Sequence, residues 1–446
     1  MACEWHSAPL GELISYIGKG VVPKYIDDGP DATMVLGQKC VRNQALQYEQ
    51  ARFHNSAEKA VNPDKEVRRG DILINATGVG SAGRVAQVMA DPSRQCITDG
   101  HVITLRAKDV NPFYLGYFVK SKQNAIELMA EGSTGQTEMN RQRLQSEIIV
   151  TFPESKDLQK RIAEYGLAID KKIAVNSQLN DYLLELATVR FEQELAKESK
   201  TYRFSELVEL EDSKRVPLNS RDRKVRKGSY PYYGATSIMD YVDDYLFDGV
   251  RVLLGEDGTV VREDGKPVLQ YVWGKYWVNN HAHILKSKAD YSLESIYIAL
   301  ARTTINHIIT GAVQMKISQK NLNDLELEMP TASSLDYLED IFALYRSNAE
   351  ESKKLEILRN ALLPKLMSGE IDVSKVGLMQ PANNHLAKCK AAALALSHIF
   401  SVACWGCGFL CNKVRAVICS HLRCLATFIR ISVANEWLKL HLLRYV

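Results

Sequence analysis

The chain has 446 residues, room for two to three domains, and its 46% hydrophobic and 24% charged content is that of a globular protein, not a disordered or fibrous one. A formal net charge of +3 does not announce a polyanion binder, so any nucleic-acid surface must be a local patch. The opening MACEWHSAPL lacks a basic stretch followed by an apolar one, which argues against a secretory leader; Cys3, Cys40 and Cys96 are too sparse for a disulfide framework and fit a reducing compartment.

Residues 1–153 alternate short β-branched runs with turn signals, and DILIN, RVAQVM, HVITLR and EIIVTF are the predicted strands. NPFYLGYFVKSKQNAIELM (111–129) predicts a helix opened by Asn111 and Pro112. Residues 154–199 follow as a long helix. Its apolar stripe (Leu158, Ile162, Tyr165, Ile169, Leu179, Leu183, Leu186) is interrupted by Lys172 and Asn176, so the seam has a polar middle.

The pattern then repeats. RVLLG, TVVRE, LQYVW and AHILK are predicted strands, SLESIYIALARTTINHII (292–309) a helix, and 335–368 a second long helix with Leu338, Phe342, Tyr345, Leu355, Leu358 and Leu362 on one stripe. Three anchors fix an offset of about 180 residues. Ile72-Leu73-Ile74 matches Val252-Leu253-Leu254; TDGHVITLRAK (98–108) matches VNNHAHILKSK (278–288); GQTEMNRQRLQSEIIVTFP (135–153) matches VQMKISQKNLNDLELEMP (313–330). Each helix of about forty residues spans roughly 60 Å at 1.5 Å per residue, too long for its own domain to cover, so the two are expected to pack antiparallel as a spacer.

The tail beyond residue 376 differs in composition. It holds six of the nine cysteines, eight Lys/Arg and one acid, which leaves the first 376 residues at −4. Ala391–Cys411 carries no formal charge and has the length of a membrane span, while Cys404, Cys407, Cys411, Cys419 and Cys424 invite a zinc reading without clean knuckle spacing. An appended, non-conforming extension is the preferred reading.

Several tempting motifs fail. GVGSAG (78–83) follows a strand, but Arg84–Met89 alternates as another strand, so a hairpin turn is expected rather than a dinucleotide loop. NPFY (111–114) lacks the second proline of an amino-methyltransferase motif and reads as a helix cap. No phosphate-binding loop and no spacing that singles out a catalytic triad is found, and His101 and His281 read as structural.

One segment suits a polyanion. KRVPLNSRDRKVRKGSYPYYGATS (214–237) places seven Lys/Arg in its first fourteen residues, opposed only by Asp222, and runs into Tyr230, Tyr232 and Tyr233. The chemistry of base edges nominates Arg221, Arg223, Arg226, Tyr230, Tyr232 and Ser237 there, with Gln314 and Lys316 further on; the first copy offers Lys19, Lys24, Arg42, Gln136, Arg141 and Arg143.

YPYYGATSIMDYVDDYLFDGVRVLLGEDG (230–258), WVNNHAHIL (277–285) and LRNALLPKLMSGEIDV (358–373) resemble segments of the specificity subunits of type I restriction–modification enzymes, a likeness covering about residues 5–376. The resemblance implies an α+β fold: two tandem pseudo-symmetric α/β target-recognition domains separated by a long antiparallel coiled-coil helix pair. The recognition domains would be 1–153 and 201–330, the spacer helices 154–200 and 331–373, with 374–446 outside the likeness. It further implies a non-catalytic, cytoplasmic chain that binds double-stranded DNA and needs no cofactor or metal of its own. Two modification subunits and restriction subunits would be its partners and would hold S-adenosylmethionine, ATP and magnesium. A stand-alone methyltransferase or nuclease, and a membrane-tethered or zinc-bearing DNA binder acting through the tail, are the other classes left open.

Overall fold

The computed structural model describes residues 4–30, 32–131, 138–288, 290–311 and 314–372. It divides into two compact units, one of residues up to Val175 together with Ser352 onward, the other Asn176–Glu351. The Cys-rich tail and its membrane or zinc readings lie outside the described residues, as do Cys3 and Gln136.

In the first unit, strands Ile14–Lys19, Val102–Ala107, Ile72–Asn75 and Val85–Gln87 form an antiparallel sheet in that order. Successive side chains of a strand point to opposite faces. Ile72 and Ile74 therefore enter one core with the helix Pro112–Ser121, while Leu73 enters a second core with Leu36, Ala86 and Val102. Covered on both faces, the strand reads as a continuous apolar run. The second core lies under a sheet of Cys96–Thr98, Ala32–Leu36, Arg52–Asn55 and Tyr25–Ile26, in which the first two strands are parallel. Strands Trp5–Pro9 and Ile149–Pro153 pair alongside.

The second unit repeats this. Val208–Leu210, Ala282–Ser287, Arg251–Gly255 and Leu269–Val272 form the central sheet in the same order. Val252 and Leu254 face the helix Leu293–Arg302, and Leu253 faces Val272, Tyr276 and Ile284. The outer sheet runs Ile238–Val242, Lys227–Tyr233, Lys275–Val278, Phe247–Asp248, again with one parallel pair, Tyr232 opposite Trp277. Ser199–Arg203 pairs with Glu326–Pro330.

The long helices are Lys156–Lys197 and Tyr337–Met367. Within each unit they contact one another antiparallel. In the first, Arg359 Nη1 meets Asp170 Oδ1 at 2.6 Å, and that carboxylate also accepts from Tyr117 Oη at 2.7 Å. In the second, Asn180 meets Tyr345 and Asn348, and Asn176 meets Glu351.

GVGSAG forms the expected turn between Ile72–Asn75 and Val85–Gln87, and Asn111 caps its helix by accepting from the Phe113 and Tyr114 amides at 3.0 and 3.1 Å. Two expectations need correction. TVVRE is not a strand: after Val261 the chain reverses through Gly265 (φ +78°), with Arg262 N–H donating to the Lys266 carbonyl at 2.8 Å, and only an isolated Val261–Pro267 bridge forms. The helices also stop short. The first breaks at Lys122, next to Gln123, whose side chain accepts from the Val85 amide at 3.1 Å. Its counterpart ends at Arg302, where Thr303 turns extended.

Candidate nucleic-acid interface

The basic segment of the second unit is organised by Asn219, whose side chain accepts from the Arg221 and Asp222 amides at 2.8 and 3.0 Å and starts the short helix Ser220–Val225. From it Arg221 and Lys224 project into solvent, and neither has an ion-pair partner among the described residues. Arg223, Arg226 and Lys227 are neutralised across the hairpin that follows. Arg223 pairs with Asp240 at 3.5 Å and donates to the Leu218 carbonyl at 2.7 Å. Arg226 pairs with Asp243 at 2.9 Å and lies over the Trp277 ring, and Lys227 pairs with Asp240. The pairing of Lys227–Tyr233 with Ile238–Val242 brings these acids over. The stretch is therefore much less basic in space than in sequence.

Tyr232 is corrected from a base reader to a core residue. It is fully buried with Val242 and Trp277, and its hydroxyl accepts from the Leu218 amide at 2.9 Å. Tyr230 is half-buried and packs on Tyr245 with ring centroids 5.1 Å apart. Ser237 is exposed and lines an open pocket with Thr236, Met239, Asp257, Thr259 and His281. Gln314 is exposed nearby in sequence, and Lys316 lies 3.4 Å from Glu256 and bridges backbone to backbone with Asp257.

In the first unit, Lys19 pairs with Glu138, and Lys24 with Glu58 at 3.3 Å. Arg42 is exposed on a hairpin whose turn residues Asn43 and Gln44 both have positive φ. Arg141 and Arg143 ride on a helix capped by Asn140. Arg143 is held by Glu131 and Glu147, while Arg141 lines an open pocket with Ile17, Glu131, Glu138, Asn140, Gln142 and Gln145.

Atom by atom, one edge is the same in both units. The Ala76 amide donates to the His101 carbonyl at 2.7 Å, and the Glu256 amide to His281 at 2.9 Å; Met139 donates to the Ala76 carbonyl at 2.7 Å, and Ile317 to Glu256 at 2.9 Å. His101 Nδ1 meets Thr77 Oγ1 at 2.9 Å, and His281 Nδ1 meets Asp257 Oδ1 at 2.6 Å. The two histidines thus mark equivalent partly exposed edges, and Thr77 and Asp257 were missed as their partners. The anchor alignment carried that signal, because it placed His101 opposite His281 and the loops beside them in register.

What differs is the chemistry beneath. Where the first unit has Ala76 and Ile103, the second has Glu256 and His283. His283 is fully buried, Nδ1 at 2.6 Å from Asp212 and Nε2 at 2.9 Å from the Ile317 carbonyl. Asp212, Glu256 and His283 bring ligand atoms within 4.8 Å of one another. The set does not fit a metal ion, because Arg215 (2.6 Å from Glu256), Gln319 (2.7 Å from Asp212) and Lys316 already engage the carboxylates and both ring nitrogens are used. Burial alone would raise the Asp212 carboxyl, but hydrogen bonds from His283, the Ile284 amide and Gln319, with the His283 charge, hold it below the usual range. No helix of the described residues is long and apolar enough to cross a membrane.

The two units are copies of one α/β scaffold with a matched, partly exposed edge. The profile of the family described as type I restriction modification DNA specificity domain matches residues 4–185 and again 196–356, and the chain belongs to that family. It is 30% identical over 128 residues to the putative type I restriction enzyme specificity subunit S.HindORF215P of Haemophilus influenzae, a match spanning 29% of this chain and 32% of that relative. It is also similar to the type I restriction–modification S subunit of M. genitalium (17% identity, 82% of this chain and 96% of that one, TM-score 0.47). The HsdS subunit of Thermoanaerobacter tengcongensis is a further likeness (14%, 82% and 97%, TM-score 0.32). The assignment rests on the family profile.

Proposed function

We propose that this chain reads a bipartite double-stranded DNA target, one half with each copy, and directs adenine methylation or cleavage by partner subunits. The observation that carries this reading is the duplicated scaffold, equal in its backbone hydrogen bonds at the edge around His101 and His281 yet different in the side chains beside it. Equal frames with unlike surfaces suit two unlike half-sites. The recognition domains are 1–153 and 201–330, and 154–200 with 331–373 supply the spacer helices. Two modification subunits carrying S-adenosylmethionine, and restriction subunits using ATP and magnesium, supply the chemistry in the cytoplasm.

Phosphate contacts position a protein on DNA and base contacts specify. Arg221 and Lys224, exposed and without an ion-pair partner among the described residues, are assigned to the first role. Ser237 and Gln314 in the second copy and Arg42 and Arg141 in the first are assigned to base edges. Lys19, Lys24, Arg143, Arg223, Arg226, Tyr230 and Lys316 are already engaged within the protein and contribute by rearranging or by shaping the surface.

The test is a methylome. Co-expressed with a cognate modification subunit in a methylation-free host, the chain is expected to yield N6-methyladenine in both halves of one interrupted motif. A continuous motif, or methylation by the chain alone, sinks the reading. Arg221→Ala is expected to weaken binding to specific and unrelated DNA alike and to lower the slope of log affinity against log salt by about 1. An unchanged slope removes Arg221 from the interface.

A further inference from the structure

Where the first long helix enters the second unit it carries two buried asparagines, Asn176 at 0% and Asn180 at 9% exposure. Both face the second long helix. Asn180 Nδ2 donates to the Tyr345 carbonyl at 3.1 Å, and Asn180 Oδ1 accepts from Asn348 Nδ2 at 2.9 Å. Asn176 Nδ2 donates to Glu351 Oε2 at 3.0 Å and toward the Asn348 carbonyl at 3.3 Å. Further along the pair, the core takes Leu183, Ala187 and Phe191 from one helix and Leu338, Ile341 and Phe342 from the other, with Arg190 lying 3.8 Å over the Tyr337 ring.

These layers constrain the helices differently. Apolar burial is non-directional, so a slide by one turn, about 5.4 Å, exchanges one apolar neighbour for another. A buried amide that loses its partners is penalised by its full desolvation. Slid one turn one way, Asn180 would meet Ile341 and Leu344, which offer no side-chain hydrogen bond; slid the other way it would meet Ala349 and Ser352. Polar residues at such seam positions lower stability relative to leucine while specifying register. Their presence in the middle of the pair calls for a role in alignment rather than in strength.

We infer that Asn176, Asn180, Asn348 and Glu351 form a register lock: positioning residues that fix the one alignment in which the long helices meet and, through it, the number of unread base pairs between the half-sites. The second step rests on the bipartite reading proposed above. Two readouts on the full chain, assembled with its modification partner, separate the steps. The first is p-benzoylphenylalanine placed at Tyr337, the residue covered by Arg190. In the otherwise unaltered chain its photocross-links are expected to cluster at Arg190. In Asn176→Leu/Asn180→Leu/Asn348→Leu they are expected to spread by about one helical turn to either side, while the melting temperature does not fall. The second is the methylome of the same variant, expected to show mixed spacing between the half-sites or a loss of methylation. Cross-links that stay confined to Arg190 in the leucine variant overturn the lock. Spread cross-links with one unchanged spacing leave the lock standing and overturn its link to target spacing. Should the triple variant fail to fold, Asn180→Leu alone is measured in the same way: confined cross-links overturn the lock, and spread cross-links with one spacing overturn its link to the target.

Discussion

A chain ending at Glu351 is expected to lose the fold of its first unit and to keep that of its second. The core of the first unit is discontinuous in sequence. Leu362, Leu363, Leu366 and Met367, from the end of the second long helix, are at most 5% exposed and pack with residues of the first 165, including Tyr114, Phe118, Ile162 and Tyr165. The Tyr114 hydroxyl reaches the Met367 carbonyl at 3.5 Å and Arg359 closes on Asp170. Gly369, at φ +77°, seats against the Trp5 indole, where a Cβ would fall 2.9 Å from the ring. Burying each large apolar side chain stabilises by about 1.5–3 kcal/mol, so losing four removes on the order of 10 kcal/mol, comparable to the roughly 5–15 kcal/mol that holds a whole domain. The second unit keeps Leu338, Ile341 and Phe342 in such a chain and so keeps its core. The measurement is limited proteolysis read by mass spectrometry, against a control chain ending at Asp372. Selective digestion of residues 4–153 in the shorter chain is the expected result, and equal protection in both would refute the account.

The discontinuity shows where sequence reading runs out. Ile72-Leu73-Ile74 and Val252-Leu253-Leu254 were legible as strands because both faces of each are covered, which leaves an unbroken apolar run. The long helices were legible from their stripes, and the polar break at Asn176 was visible before its partners were. The candidate interface was legible only as charge. Seven Lys/Arg in 214–227 read as a basic surface, but Asp240 and Asp243 arrive from a paired strand and cancel Arg223, Arg226 and Lys227. Pleating placed Tyr232 inside, which aromatic content next to charge could not reveal. His283 escaped because its partners come from residues 212 and 317, far from it in sequence.

Asp212→Ala is expected to be the most damaging single substitution in the second unit. The carboxylate is 6% exposed and accepts from His283 Nδ1 at 2.6 Å, Gln319 Nε2 at 2.7 Å and the Ile284 amide at 2.9 Å, with Arg215 at 3.6 Å. His283 is held at both ring nitrogens, by Asp212 at Nδ1 and by the Ile317 carbonyl at Nε2, so the loss of Asp212 strips a buried ring of one of its two partners. Removing one partner of a buried pair typically costs about 3–5 kcal/mol, because the survivor is left buried and uncompensated. For a unit of this size that is a fall in melting temperature of roughly 6–20 °C. Glu256→Ala with His283→Ile installs the residues that the first unit holds at these positions and is expected to cost less, since Asp212 keeps Gln319, the Ile284 amide and Arg215 as partners. The pH dependence has a definite sign. The Asp212 carboxyl is held below its usual range, so its contribution is complete above the unfolded value of about 3.9 and fades as the pH falls toward the folded one. Melting curves of the second unit should therefore converge between wild type and Asp212→Ala on acidification below that point. Curves that stay parallel through that range, or a variant that melts with the wild type at neutral pH, would show that the cluster does not hold the unit together.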